Sequence, residues 1–115
     1  MGVLKGYRWI INIHGFATIV KSVEDEVHGI IYELSESDEN NLDRYEGVES
    51  GFYYKEMFLV EAPGQKINCL VYIDPVEEEG EPKPEYIKRI NAGINDAKLS
   101  VEYVNRYIRK FVPIE

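Results

Sequence analysis

Little in this 115-residue sequence invites covalent or metal chemistry. A single cysteine, Cys69, permits no internal disulfide, and its setting in an apolar run reads as packing rather than nucleophilic attack. The two histidines, His14 and His28, fall in unrelated segments without ligand spacing, so neither a metal motif nor a cofactor is expected. Basic residues are also scarce: 13 stand against 21 acidic ones, for a net charge of −8. That balance argues against affinity for nucleic-acid backbones or anionic membranes. No apolar run approaches the roughly 18 residues of a membrane span, and no charged-then-apolar leader opens the chain. A cytoplasmic location is the expectation.

What is present describes a folded domain. Apolar residues make up 44% and charged residues 30%, and the length suits one real core. Gly2 to Asn12 is rich in β-branched and aromatic residues and reads as a strand. Gly15 breaks it, and Phe16 to Val20 forms a second short run before a polar turn region, Lys21 to Glu26. Val27 to Leu34 is apolar on both parities, as in a strand covered on two sides, and Gly29 within it suggests a bulge or a close approach. Phe52 to Ala62 and Ile67 to Asp74, joined by Pro63-Gly64, predict a hairpin. On its second strand Ile67, Cys69, Val71 and Ile73 share one face, while Asn68, Leu70, Tyr72 and Asp74 share the other. The acidic, proline-rich segment Pro75 to Pro84 reads as a solvated loop. Pro84 opens a helix carrying Ile87, Ile90 and Ile94, with Gly93 a weak point. Ser100 then caps a last helix with a Val101, Val104, Ile108 and Phe111 stripe. Strands, one short helix, a hairpin and then helices indicate an α+β fold.

The stretch Ser35 to Tyr53 organises the rest. It reads as a short helix with Ser37 as N-cap, stopped at Gly47, the residue that takes a left-handed conformation at least cost. Glu46 then falls in the last turn, where unpaired carbonyls disfavour a carboxylate by about 0.3–1 kcal/mol. The same field raises its proton affinity toward that of a working general base. The bland alternative is a solvated surface glutamate. Nine tyrosines is a high count for this length, and Tyr45, Tyr53 and Tyr54 flank Glu46, with Tyr72 and Tyr86 further on. They either fill a half-buried sheet surface or line a small polar pocket.

Val27-His-Gly-Ile-Ile-Tyr32, Leu42-Asp-Arg-Tyr-Glu-Gly-Val48, Gly51-Phe-Tyr53, Cys69-Leu-Val-Tyr72 and Pro84-Glu-Tyr86 together resemble the gamma-glutamylcyclotransferase-like (AIG2-like) family over nearly the whole chain. The Leu-Asp-x-x-Glu-Gly-Val segment is the most specific piece. The resemblance implies a single domain over residues 1–115 with a mixed, barrel-like sheet and a few flanking helices. It also implies an enzyme that cyclises γ-glutamyl groups to 5-oxoproline, releasing an amine or amino acid. The family's catalytic glutamate falls on Glu46, and Gly47, Tyr53, Tyr72 and Tyr86 fall on substrate-binding positions. Neither a metal nor a cofactor is implied.

The family's opening strand and Tyr-Gly-Ser-Asn loop do not occur in this sequence. A shortened start, a natural loss of catalysis, or supply of the strand by another chain each accounts for that. An exposed sheet edge would invite a second copy, so a homodimer is one expectation. The competing function is a catalytically silent small-molecule-binding or interaction module on the same fold.

Overall fold

The computed structural model describes residues 1–33, 35–45, 51 and 53–114. Its centre is a four-stranded antiparallel sheet of order β2-β1-β3-β4. β1 (Gly2–Ile11) and β2 (Ala17–Gly29) form one long hairpin, and β3 (Tyr54–Ala62) and β4 (Gln65–Ile73) form another. The two meet where Val3 pairs with Glu61. The fold class is α+β, as the order of elements indicates.

The first hairpin corrects the sequence reading. Lys21 to Glu26 is no turn between two strands; it belongs to a single 13-residue strand. Lys5 pairs with Glu26 and Tyr7 with Lys21, so Ser22 to Asp25 bulge out opposite Gly6. Gly6 makes this possible at φ 87°, a region that side chains disfavour. The bulge is thus at Gly6, not at Gly29, which ends β2 opposite Gly2. Polar composition reported solvent exposure of the segment, while backbone pairing decided its conformation.

In the second hairpin the Gly64 turn has φ 73°, and the register pairs Lys55 with Tyr72, Met57 with Leu70 and Phe58 with Cys69. The expected face assignment of β4 follows from this register. Cys69 is half-buried and free.

The core forms where the first hairpin meets the C-terminal helices. Ile11, Tyr103, Val104, Tyr107, Ile108 and Val112 are buried together, and Ile87, Ile90 and Ile94 of α2 (Pro84–Ala97) pack against them. Gly93 does not interrupt α2, which ends at Lys98 in a left-handed conformation. Ser100 caps the last helix, its Oγ accepting from the Tyr103 amide at 3.2 Å. That helix starts as α3 (Val101–Tyr103) and widens into a π turn, Val104–Ile108, closed by the Arg109 amide on the Val104 carbonyl at 2.9 Å. Val104 and Ile108 of the expected stripe are buried and Phe111 packs against them. Val101, expected inside, is 73% exposed, while Tyr103 and Tyr107 take the buried places.

The acidic segment after β4 is exposed but docked. The Glu79 carboxylate pairs with Arg8 and Lys110, both at 2.9 Å, and the Gly80 amide donates to the Ile11 carbonyl.

Candidate functional site

Helix α1 (Glu36–Tyr45) lies beside the second hairpin. Its N-terminus differs from expectation: the cap is Ser35, not Ser37. The Ser35 Oγ accepts from the Asp38 amide at 3.1 Å and the Asp38 carboxylate accepts from the Ser35 amide at 3.2 Å, a reciprocal capping box. Asp38 occupies the position where Ser-x-x-acid spacing closes this box, which Ser37 cannot do.

Only Glu39, Leu42 and Asp43 on α1 are partly buried among those residues whose side chains are described, so the helix faces the hairpin through one turn. A ten-residue helix is marginal by itself, and a half-buried leucine contributes at most about 1.5–3 kcal/mol. Polar contacts complete the attachment. Lys55 Nζ lies 2.6 Å from the Glu39 carboxylate and 3.0 Å from that of Asp43. The Tyr72 hydroxyl donates to Asp43 Oδ1 at 2.6 Å and lies 3.3 Å from the Glu39 carbonyl. Lys55 and Tyr72 are direct cross-strand partners, so one rung of the hairpin presents both groups to one face of the helix.

The electrostatics follow from those contacts. The Tyr72 hydrogen bond, then Lys55, holds Asp43 below the usual carboxylate range. Lys55 is raised by its hydrogen bonds to Glu39 and Asp43. Burial, with the Asp43 carboxylate beside it, pushes the Tyr72 phenol up to about 12. Tyr72 therefore stays protonated and donating at neutral pH.

Tyr53 and Tyr86 converge elsewhere, on the first residue of β2. The Tyr53 hydroxyl donates to the Ala17 carbonyl at 3.2 Å, and the Ala17 amide donates to the Tyr86 hydroxyl at 3.4 Å. Next to Ala17, the Thr18 hydroxyl donates to the Asp74 carbonyl at 2.7 Å and accepts from the Asp74 amide, tying the end of β4 to β2. Of the five residues singled out in the sequence, two thus share a partner, and Tyr72 is bound to α1. Glu46 and Gly47 lie outside the described residues. Sequence reasoning missed Glu39, Asp43 and Lys55. The available signal was the spacing of two carboxylates around Leu42, facing a lone cation on a half-apolar strand.

A groove of about 1000 Å³ runs between the start of β1, residues 30–33, α1 and β4. Its lining is largely apolar and includes Gly2, Ile31, Leu42, Met57, Leu70 and Tyr72. The volume is at the upper end of the roughly 300–1,000 Å³ range of small-molecule sites.

The sequence signature of the AIG2-like family matches residues 26–107. The gamma-glutamylcyclotransferase of Homo sapiens is 38% identical over 90 residues, which are 77% of this chain and 48% of the relative. The Bos taurus gamma-glutamylcyclotransferase is 37% identical over the same shares. The chain spans about half the length of these curated relatives. Among solved structures, a gamma-glutamyl cyclotransferase superposes with a TM-score of 0.79 at 30% identity, over 91% of this chain and 69% of the other. An ensemble-refined crystal structure of an uncharacterized Homo sapiens protein superposes with a TM-score of 0.80 at 31% identity, over the same shares.

Proposed function

The chain belongs to the AIG2-like, gamma-glutamylcyclotransferase-like family, and from that premise we propose that it cyclises γ-glutamyl compounds to 5-oxoproline with Glu46 as general acid/base. The observation that supports this most is the 38% identity to a protein named for that activity, running through the Leu42 to Val48 segment that contains Glu46.

In the proposed reaction the Glu46 carboxylate takes a proton from the substrate's α-ammonium group. The freed amine attacks the γ-carbonyl carbon, a C–N bond closes the five-membered ring, and the bond to the leaving nitrogen breaks. Glu46 returns its proton to that nitrogen, which also takes up the second proton that the ring nitrogen gives up, so 5-oxoproline and the leaving amine in its ammonium form depart without a water being consumed. Ring closure is intramolecular, and the site's main task is to hold the folded conformer in which amine and carbonyl are close. Gly47, Tyr53, Tyr72 and Tyr86 are the residues proposed to surround the substrate. The domain proposed to do this spans residues 1–115. None of the described helices is long and apolar enough to cross a membrane. A cytoplasmic location is part of the same proposal.

The competing reading is a catalytically silent small-molecule-binding or interaction module on the same fold. Release of 5-oxoproline from a panel of γ-glutamyl amino acids and amines, with Glu46→Gln run alongside, separates the two. Turnover by the wild type should fall by about 10²–10⁴-fold in the variant, the usual contribution of a positioned acid/base. Equal ligand binding by both proteins, without turnover in either, would establish the binding module.

A further inference from the structure

Helix α1 is held to the second hairpin by a cluster of polar side chains, Glu39 and Asp43 against Lys55 and Tyr72. We infer that Asp43, clamped by Lys55 and Tyr72, is a positioning residue that fixes the helix end from which Glu46 follows. This rests on the cyclotransferase reading above.

Little else holds α1. Its first three residues are exposed, and its start is capped from within, by Ser35 and Asp38. Its inward side offers Glu39 and Asp43, one turn apart, with Leu42 between them. Both carboxylates grip the same ammonium group, and Asp43 also accepts a hydrogen bond from the Tyr72 hydroxyl at 2.6 Å. Asp43 accepts from two directions fixed by one cross-strand rung, so the clamp restrains helix rotation as well as distance. Glu46 is three residues beyond Asp43 in the sequence and directly follows Tyr45, the last residue of α1. A small rotation of α1 therefore redirects the chain that carries the proposed base. Misplacement of a catalytic group by about 1 Å can cost on the order of 100-fold in rate.

The charge count sharpens the assignment. Lys55 is the natural suspect for a substrate carboxylate, being the cation nearest to α1 in these contacts. Two carboxylates already satisfy it, however, and the trio carries a net charge of −1. A third carboxylate would have to displace one of them. Lys55 thus serves the helix, and substrate affinity should survive its loss.

The test compares Asp43→Asn, Lys55→Met and Lys55→Arg with the wild type in steady-state kinetics and in amide hydrogen exchange. Asp43→Asn and Lys55→Met should lower kcat about 10- to 100-fold with KM within about threefold. Exchange should accelerate over residues 36–45 while β1, β2 and the C-terminal core keep their protection. Lys55→Arg, which keeps the charge and the donors, should recover most of kcat. A rise in KM at unchanged kcat would make Lys55 a substrate anchor and overturn the inference. Unchanged exchange across α1 in both disruptive variants would overturn it too, whatever the kinetics. Should the wild type release no 5-oxoproline, the proposed function fails on its own, and the exchange measurement still decides whether the clamp holds α1.

Discussion

Single buried polar residues decide where the loops of this protein dock. Asn12 is fully buried, and all of its polar atoms have partners. Its Nδ2 donates to the Val76 carbonyl at 3.1 Å, and its Oδ1 accepts from the amides of His14 and Phe16 at 3.1 and 3.2 Å. It thereby closes the β1–β2 turn and fastens the segment after β4 in one place. Asn12→Ala should cost about 1–3 kcal/mol, the penalty for stranding such groups, read as a lower midpoint in urea at unchanged m-value. The sequence reading placed Asn12 at the end of a strand but had no means of seeing that it fastens the later segment, because Val76 is 64 residues away. Gly80 was equally silent: a Cβ there would sit 2.6 Å from the Asn12 carbonyl oxygen and Ile13 Cα, so a close approach reserves the position for glycine. Tyr72 was singled out through the resemblance, yet its bond to Asp43 was not legible.

Beyond the apolar core, three carboxylates tie elements to one another, which links stability to pH. Asp43 joins α1 to the second hairpin. Asp25, in the β2 bulge, accepts from Ser22 and from Tyr107 of the π turn, at 2.8 Å for the latter. Glu79 joins the acidic segment to β1 and the C-terminus. Each is held below its ordinary value, Asp25 by the Ser22 and Tyr107 hydrogen bonds first and Glu79 by those of Lys110 and Arg8. A depressed carboxylate binds its proton less tightly folded than unfolded. Its contribution is thus present above the unfolded values of 3.8 for aspartate and 4.5 for glutamate, and is lost as pH falls through the folded ones. The melting temperature should hold above about pH 5 and drop steadily below about pH 4, more shallowly in Asp25→Asn, as followed by thermal melts across that range. Of these elements, α2 was the most legible, since its isoleucine spacing and Pro84 start are local signals. The last helix was legible at its cap and in Val104, Ile108 and Phe111 of its stripe, but not in its π turn, which leaves no mark in a 3.6-residue pattern. The β2 bulge escaped notice because its pairing partner is β1, not its own neighbours in sequence.

The radius of gyration of the whole molecule, 14.0 Å, is close to the roughly 13 Å expected of one compact domain of this length. Compactness does not extend to every edge. Among the described residues β4 is an outer strand, paired only with β3, and it alternates apolar groups on both faces. Such an edge invites pairing, and the proposal that follows is self-association through β4. Sedimentation velocity should show a concentration-dependent dimer that Leu70→Lys shifts toward monomer; a wild-type monomer at all concentrations would remove the proposal. The sequence by itself determined the fold class, the strand faces of β4, the helix starts at Pro84 and Ser100, and the family, because periodicity, capping and short motifs are written in neighbouring residues. Tertiary structure alone decided that β2 is one bulged strand, that Tyr53 and Tyr86 meet at Ala17, and that Asp43, Lys55 and Tyr72 join into a clamp. Those arrangements depend on register and on pairs far apart in the chain, and no local pattern encodes which distant residue will be opposite.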